Sequence, residues 1–99
     1  MPTHTDIELL NEVKIKHPKK YKVYLLNDDY TSMEFVIEIL ITIFYKNYED
    51  AQNVMLDIHK KEKGLCGVYT HEIAETKIIQ VHQKAKDNGF PLKAVMEQE

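Results

Sequence analysis

Tyr21-Lys22-Val23-Tyr24-Leu25-Leu26-Asn27-Asp28-Asp29-Tyr30-Thr31-Ser32-Met33-Glu34-Phe35-Val36 holds the junction on which the architecture turns. Its opening residues are mostly β-branched, aromatic or aliphatic and read as a strand over roughly residues 20–26. The run stops at an amide and two carboxylates, and a helix signal opens at once behind them. Thr31 and Glu34 stand three apart, the spacing of a capping box. Phe35, Val36, Ile39, Leu40, Ile43 and Phe44 then recur at three- and four-residue intervals, which builds one apolar helix face. Three acceptor side chains are thus crowded at a strand-to-helix corner, where they can hold one compact cation. Met33 and Val36 beside them can floor a pocket for whatever that cation is attached to. The combination reads as a receptor for an amine that carries a hydrophobic group.

Working outward, Asn47 and Asp50 repeat the capping pattern before a second helix that runs to about Lys61. Its stripe is Ala51, Val54, Met55 and Ile58, and Gly64 is expected to close it. Leu65-Cys66-Gly67-Val68-Tyr69 reads as a short strand. Thr70 caps a third helix from about His71 to Asp87, with Ile73, Ile78, Val81 and Ala85 as its inward face, and Asn88-Gly89 ends it. Pro91 to Met96 forms a last strand, its proline at the start where no ladder donor is needed. The order strand, helix, helix, strand, helix, strand predicts an α+β fold: a small three-stranded antiparallel sheet covered by three helices. Residues 19–99 are assigned to this core domain. Residues 1–18 are expected to form a flexible N-terminal extension, with Ile7, Leu9, Leu10 and Val13 as an embedded contact segment or a short docked helix.

Composition narrows the class. Ninety-nine residues support one domain with one core, and 43% hydrophobic with 29% charged residues suits a soluble globular protein. A net charge of −3 argues against nucleic acid as a partner, because phosphate binding needs a concentrated basic face. Lysines do cluster at 14–22 and 60–63, but acidic residues are mixed with or follow both clusters, so they read as solvated surface. The single cysteine, Cys66, leaves no intrachain disulfide and fits a reducing compartment. The N-terminus lacks an apolar signal-peptide core. The longest apolar stretch, Phe35 to Phe44, is interrupted by Glu38 and Thr42 and is too short to span a bilayer. The expectation is a cytoplasmic monomer without a membrane partner.

The acidic corner has a plain reading beside the functional one. Asn and Asp form turns by bonding their own backbone. Three consecutive acceptors ahead of a separate helix cap exceed what a turn requires, which favours a binding role. A calcium loop is the competing ligand reading, since Asn27, Asp29, Thr31 and Glu38 fall at its first, third, fifth and twelfth positions. Ser32 stands where that loop needs glycine, and residues 33–38 are already helical by period, so calcium is rejected. His59 shares a helical face with Met55 and Ile58, where a half-buried structural histidine and a ligand are both open readings. His71-Glu72-Ile73-Ala74-Glu75 opens like a zinc-protease helix but carries glutamate where the second histidine belongs. Cys66 sits mid-strand with no neighbouring cation, as a small core residue. With no nucleophile elbow and no glycine-rich phosphate loop, nothing supports catalysis, a metal or a cofactor.

Two stretches carry a family likeness. Tyr21-Lys22-Val23, Asn27-Asp28-Asp29-Tyr30-Thr31 and Met33-Glu34-Phe35-Val36 are very similar to the signature of the ClpS adaptor family. So is Gly67-Val68-Tyr69-Thr70, followed by Glu72 and Ala74-Glu75-Thr76-Lys77. The resemblance covers about residues 19–97 in the same order. It implies an adaptor of the N-degron pathway that binds the first residue of a substrate chain when it is Leu, Phe, Tyr or Trp. The adaptor would hand the substrate to a ClpA- or ClpC-type AAA+ unfoldase coupled to the ClpP protease. Carried over by position, Asn27, Asp29 and His59 would hold the α-amino group, with Asp28 supporting the acidic rim. Leu25, Thr31, Met33, Val36, Met55, Ile58 and Leu92 would line the side-chain pocket, and Glu72, Glu75 and Lys77 would face the unfoldase. The chain departs from the family at Ser32, where proline is common, and at Ile58, where valine is frequent.

Two rival classes use the same amine pocket. An aminopeptidase-like enzyme would cleave a labelled N-terminal peptide. A stand-alone domain for N-terminal residues would not travel with a hexameric unfoldase.

Overall fold

Alternate residues of the first strand, β1 (Lys20–Leu26), are driven into the core: Val23 and Leu25 are fully buried. The computed structural model describes residues 18–99; the predicted extension over residues 1–18 lies, all but Pro18, outside the described residues. Two helices follow, α1 (Met33–Thr42) and α2 (Tyr48–Lys61), then β2 (Lys63–Thr70), α3 (His71–Asp87) and β3 (Ala94–Gln98). The sheet is antiparallel with the order β2-β1-β3, so β1 is paired on both sides. Three antiparallel strands and three helices in this order are the α+β architecture that the periodicities predict.

The apolar faces meet as expected: Phe35, Val36, Ile39 and Leu40 of α1 are buried, as are Ile43 and Phe44 just past its end. Helix α2 packs on α1 and β2 through Ala51 and Ile58, while α3 lies against all three strands. The inward face of α3 is Ala74, Ile78, Val81 and Ala85; Ile73, expected to point inward, is exposed. A helix face centred on Ala74 brings the α3 backbone close to the sheet and rotates the bulkier Ile73 out to solvent.

The pairing of β1 with β2 slips between Val23 and Tyr24, since Val23 opposes Gly67 and Tyr24 opposes Leu65. Cys66 is the additional residue of this bulge. Without the slip, strict alternation could not place Gly64, Cys66 and Tyr69 all on the inner side of β2. Burial pushes the Cys66 thiol up to about 12, which keeps it protonated and inert at neutral pH. On the other face of the sheet, Lys63 reaches across β1 to Glu97 at 2.9 Å and lies 4.4 Å from the Tyr24 ring centroid.

Three element ends differ from the sequence reading. Helix α1 is capped by Ser32, whose hydroxyl accepts from the Phe35 amide at 3.1 Å. Thr31 was the expected cap, but its hydroxyl is taken by Asp28. Ser32→Ala is accordingly expected to lower stability by about 1 kcal/mol, measured by denaturant titration, while Thr31→Ser leaves the cap intact. Helix α2 is closed by Glu62 in the left-handed region and not by Gly64, which lies inside β2. A Cβ on Gly64 would meet Ile58 Cγ1 at 2.7 Å and the Val54 carbonyl at 2.8 Å, so glycine there sets how closely α2 and β2 approach. The last strand begins at Ala94, later than Pro91, because Leu92 turns into the core instead of joining the ladder.

Candidate functional site: a polar-rimmed apolar cavity

The corner after β1 is anchored on both sides by backbone bonds. The Leu26 amide donates to the Lys93 carbonyl at 3.0 Å, and the Asn27 amide donates to the Glu62 carbonyl at 2.8 Å. Asp28 then closes the turn on itself. Its Oδ1 accepts from the amides of Tyr30 at 2.8 Å and Thr31 at 2.6 Å, and its Oδ2 accepts from the Thr31 hydroxyl at 2.7 Å. Burial raises the Asp28 carboxyl, but the Thr31 hydroxyl and the two amides outweigh it, and the group ends below the usual carboxylate range. A depressed carboxyl contributes stability that is complete above its unfolded value of 3.8 and disappears as pH falls through the lower folded value. The turn therefore keeps its shape at every pH near neutrality.

With the turn fixed by Asp28, other acceptors are left over. Among the described residues, no hydrogen bond engages the side chains of Asn27, Asp29 or His59. Asn27 and His59 line one small cavity together with Thr31, Met33, Val36, Met55 and Ile58. The polar atoms come from the turn and the last turn of α2, and the apolar floor comes from the first turn of α1 and from Met55 and Ile58 in the C-terminal half of α2. The cavity has about 30 Å³, room for a water but not for a leucine side chain. Met33, half exposed at 51%, and the half-buried Met55 form its movable walls, since an unbranched thioether repacks at little cost.

Seven of the eleven residues assigned to the binding site from the sequence converge here. Asp28 and Asp29 do not; they line a neighbouring groove of about 390 Å³ with Leu26, Asn27, Tyr30, Pro91 and Lys93. That groove is larger and more open, and of the residues assigned to the side-chain pocket it contains none. Only Asn27 belongs to both. Leu25 and Leu92, assigned to the pocket, are core residues at 0% and 3% exposure and do not line the cavity. Inward alternation along β1 commits Leu25 to the sheet–helix interface, and Leu92 is buried between α3 and β3 in sequence. Sequence reasoning missed the Glu62 carbonyl that holds Asn27, because a main-chain acceptor leaves no signal in the residue types.

The residues assigned to a partner surface separate into two groups. Glu72 and Glu75 are exposed on the first turns of α3, with Glu75 3.8 Å from His71. Lys77 is half-buried and turned inward, where its ammonium donates to the Ile43 carbonyl at 2.6 Å and lies 4.5 Å from the Tyr45 ring centroid. It ties α3 to the end of α1. No group of three or more metal-ligating side chains occurs among the described residues. None of their helices is long and apolar enough to cross a membrane.

Known proteins are similar to this chain in sequence and fold. The family model described as "ATP-dependent Clp protease adaptor protein ClpS" matches residues 16–95. The ATP-dependent Clp protease adapter protein ClpS of Acetivibrio thermocellus is 54% identical over 99 residues, covering 100% of both chains. That of Desulforapulum autotrophicum is 57% identical over 88 residues, covering 89% of this chain and 85% of its own. The solved structure of Agrobacterium tumefaciens ClpS2 bound to L-phenylalaninamide aligns with a TM-score of 0.81 at 40% identity, over 84% of this chain and 100% of that one. The chain belongs to the ClpS family of Clp protease adaptors. It is an adaptor of proteolysis and not an enzyme.

Proposed function

We propose that the cavity between Asn27 and His59 receives the first residue of a substrate chain, its α-amino group at the polar rim and its side chain over Met33, Val36, Met55 and Ile58. The observation that carries this reading is the pairing of acceptors unengaged among the described residues with an apolar floor in one cavity. An α-amino group has an ordinary pKa near 8 and is mostly cationic at neutral pH. The Asn27 amide oxygen and a neutral His59 imidazole each accept one of its protons. Asp28 and Asp29 add negative potential from the adjoining groove. The ligand of the Agrobacterium tumefaciens relative, an amino-acid amide with a free amine and an aromatic side chain, has the chemistry that this site suits.

The substrates on this reading are N-degron proteins that begin with Leu, Phe, Tyr or Trp. Burying such a side chain contributes roughly 1.5–3 kcal/mol, and the amine contacts add to it. Association entropy offsets much of the total, so affinities of about −8 kcal/mol, the micromolar range, are expected. The test is fluorescence anisotropy with peptides that differ only in their first residue. Leu-, Phe-, Tyr- and Trp-first peptides should bind; Gly- and Asp-first peptides of the same sequence should not. Equal binding across the panel would end the reading.

Delivery is the second half of the function. The bound chain passes to a ClpA- or ClpC-type AAA+ unfoldase that feeds ClpP, with Glu72 and Glu75 at the docking face. Lys77 supports that face from behind through its bond to Ile43. Reversing the charges of Glu72 and Glu75, or deleting residues 1–18, should suppress turnover of a Leu-first reporter by the purified unfoldase–protease pair. Peptide affinity should stay unchanged in both variants. Full turnover by the truncated chain would remove the extension from the mechanism.

A further inference from the structure

Glu62 is the only residue between α2, which ends at Lys61, and β2, which begins at Lys63. A helix that passes into a strand through one residue needs that residue to reverse the backbone. Glu62 does so with φ 69° and ψ −15°, in the left-handed region. Glycine enters this region freely and asparagine readily, whereas a glutamate is held there against its preference. The glycine two residues on cannot take over the task, because Gly64 is pressed against Ile58 and the Val54 carbonyl.

The same residue is the anchor of the candidate site. Its carbonyl accepts the Asn27 amide at 2.8 Å, and His59 lies three residues before it on α2. The backbone of one residue therefore joins the turn that carries Asn27 to the helix end that carries His59. Met33 and Val36, at the apolar end of the cavity, sit on α1 and have no bond to this joint.

We infer that Glu62 is the positioning residue of the amine site: its left-handed backbone holds Asn27 and His59 at the spacing a free amino group needs. It thereby sets how sharply the protein separates a free N-terminus from a blocked one, but not which side chain it prefers. The inference rests on the cavity being a receptor for the α-amino group. The Glu62 carboxylate has no part in it, since the contact is made by the main-chain carbonyl.

The test measures two ratios of dissociation constants by anisotropy: acetylated over free Leu-first peptide, and Val-first over Leu-first peptide. Glu62→Gly, Glu62→Asn and Glu62→Gln should keep both ratios within twofold of wild type, the first two because they tolerate the backbone and the third because it removes only charge. Glu62→Val, β-branched and poorest at positive φ, should lower the first ratio at least fivefold and leave the second within twofold. If the valine variant does not fold, insertion of one glycine after Lys61 lengthens the joint without strain and should give the same one-sided loss. An unchanged first ratio, a parallel fall of both ratios, or a loss of discrimination in Glu62→Gln would each overturn the inference. A wild-type protein that binds free and acetylated peptides equally would overturn the amine receptor itself; a discriminating wild type with an unresponsive Glu62 series overturns only the role of the joint.

Discussion

A Leu-first peptide should lose at least tenfold in affinity when Asn27 or His59 is replaced by alanine, and more when its own amine is acetylated. Each substitution leaves an ammonium proton facing the cavity without an acceptor. A buried polar group left unpaired costs about 1–3 kcal/mol, and more when it is charged, while 1.4 kcal/mol corresponds to tenfold. Acetylation removes the charge and two donors together and leaves both Asn27 and His59 unanswered. On the alkaline side the peptide's own amine loses its charge above about pH 8, and affinity falls. Anisotropy across this pH range with both peptides is the measurement. Wild-type affinity in Asn27→Ala would place the amine elsewhere.

Met33→Ala should admit Val- and Ile-first peptides, raising their affinity about tenfold while weakening Leu only slightly. Met33 starts α1 directly beyond the turn, half exposed, and shares the cavity with Asn27 and Thr31. A side chain branched at Cβ carries its bulk close to the backbone, where this thioether stands. A γ-branched or planar side chain passes it before widening. Truncation to alanine removes the obstruction and enlarges a cavity that now holds about 30 Å³. The modest loss for Leu reflects one lost apolar contact, with Val36, Met55 and Ile58 still in place. Competition anisotropy with Leu-, Ile- and Val-first peptides measures it. If the variant excludes Val as before, Met33 is a wall and not a gate.

The fold was legible where one periodicity ruled, as along α1 and the two residues after it, where all six positions of the predicted apolar face are buried. It was less legible where neighbouring residues compete for one role. Thr31 and Ser32 both offer a hydroxyl at the head of α1, and only the three-dimensional turn gives Thr31 to Asp28 and leaves Ser32 as the cap. The site followed the same rule. Types and spacing pointed to Asn27, Met33 and Val36 at the corner, whereas Met55, Ile58 and His59 were assigned through the family resemblance; the structure brings all six to one cavity. Leu25 and Leu92 were not separable from pocket residues, because a leucine facing a cavity and one facing the core look alike in sequence. The bulge at Cys66 and the joint at Glu62 carry no compositional mark at all; each is a matter of register between distant segments.

The sheet also gives the molecule two ends. The first and last described strands leave it side by side, where the Glu99 amide donates to the Lys20 carbonyl at 2.9 Å. The cavity opens at the other end of β1, beyond Leu26. Seven strand residues at about 3.3 Å each put roughly 20 Å between them. The cavity and the end of β3 therefore lie at opposite poles of the sheet. A label attached at Glu99 starts a full strand length away from the cavity, which makes that end suitable for surface immobilisation or a fluorescent reporter.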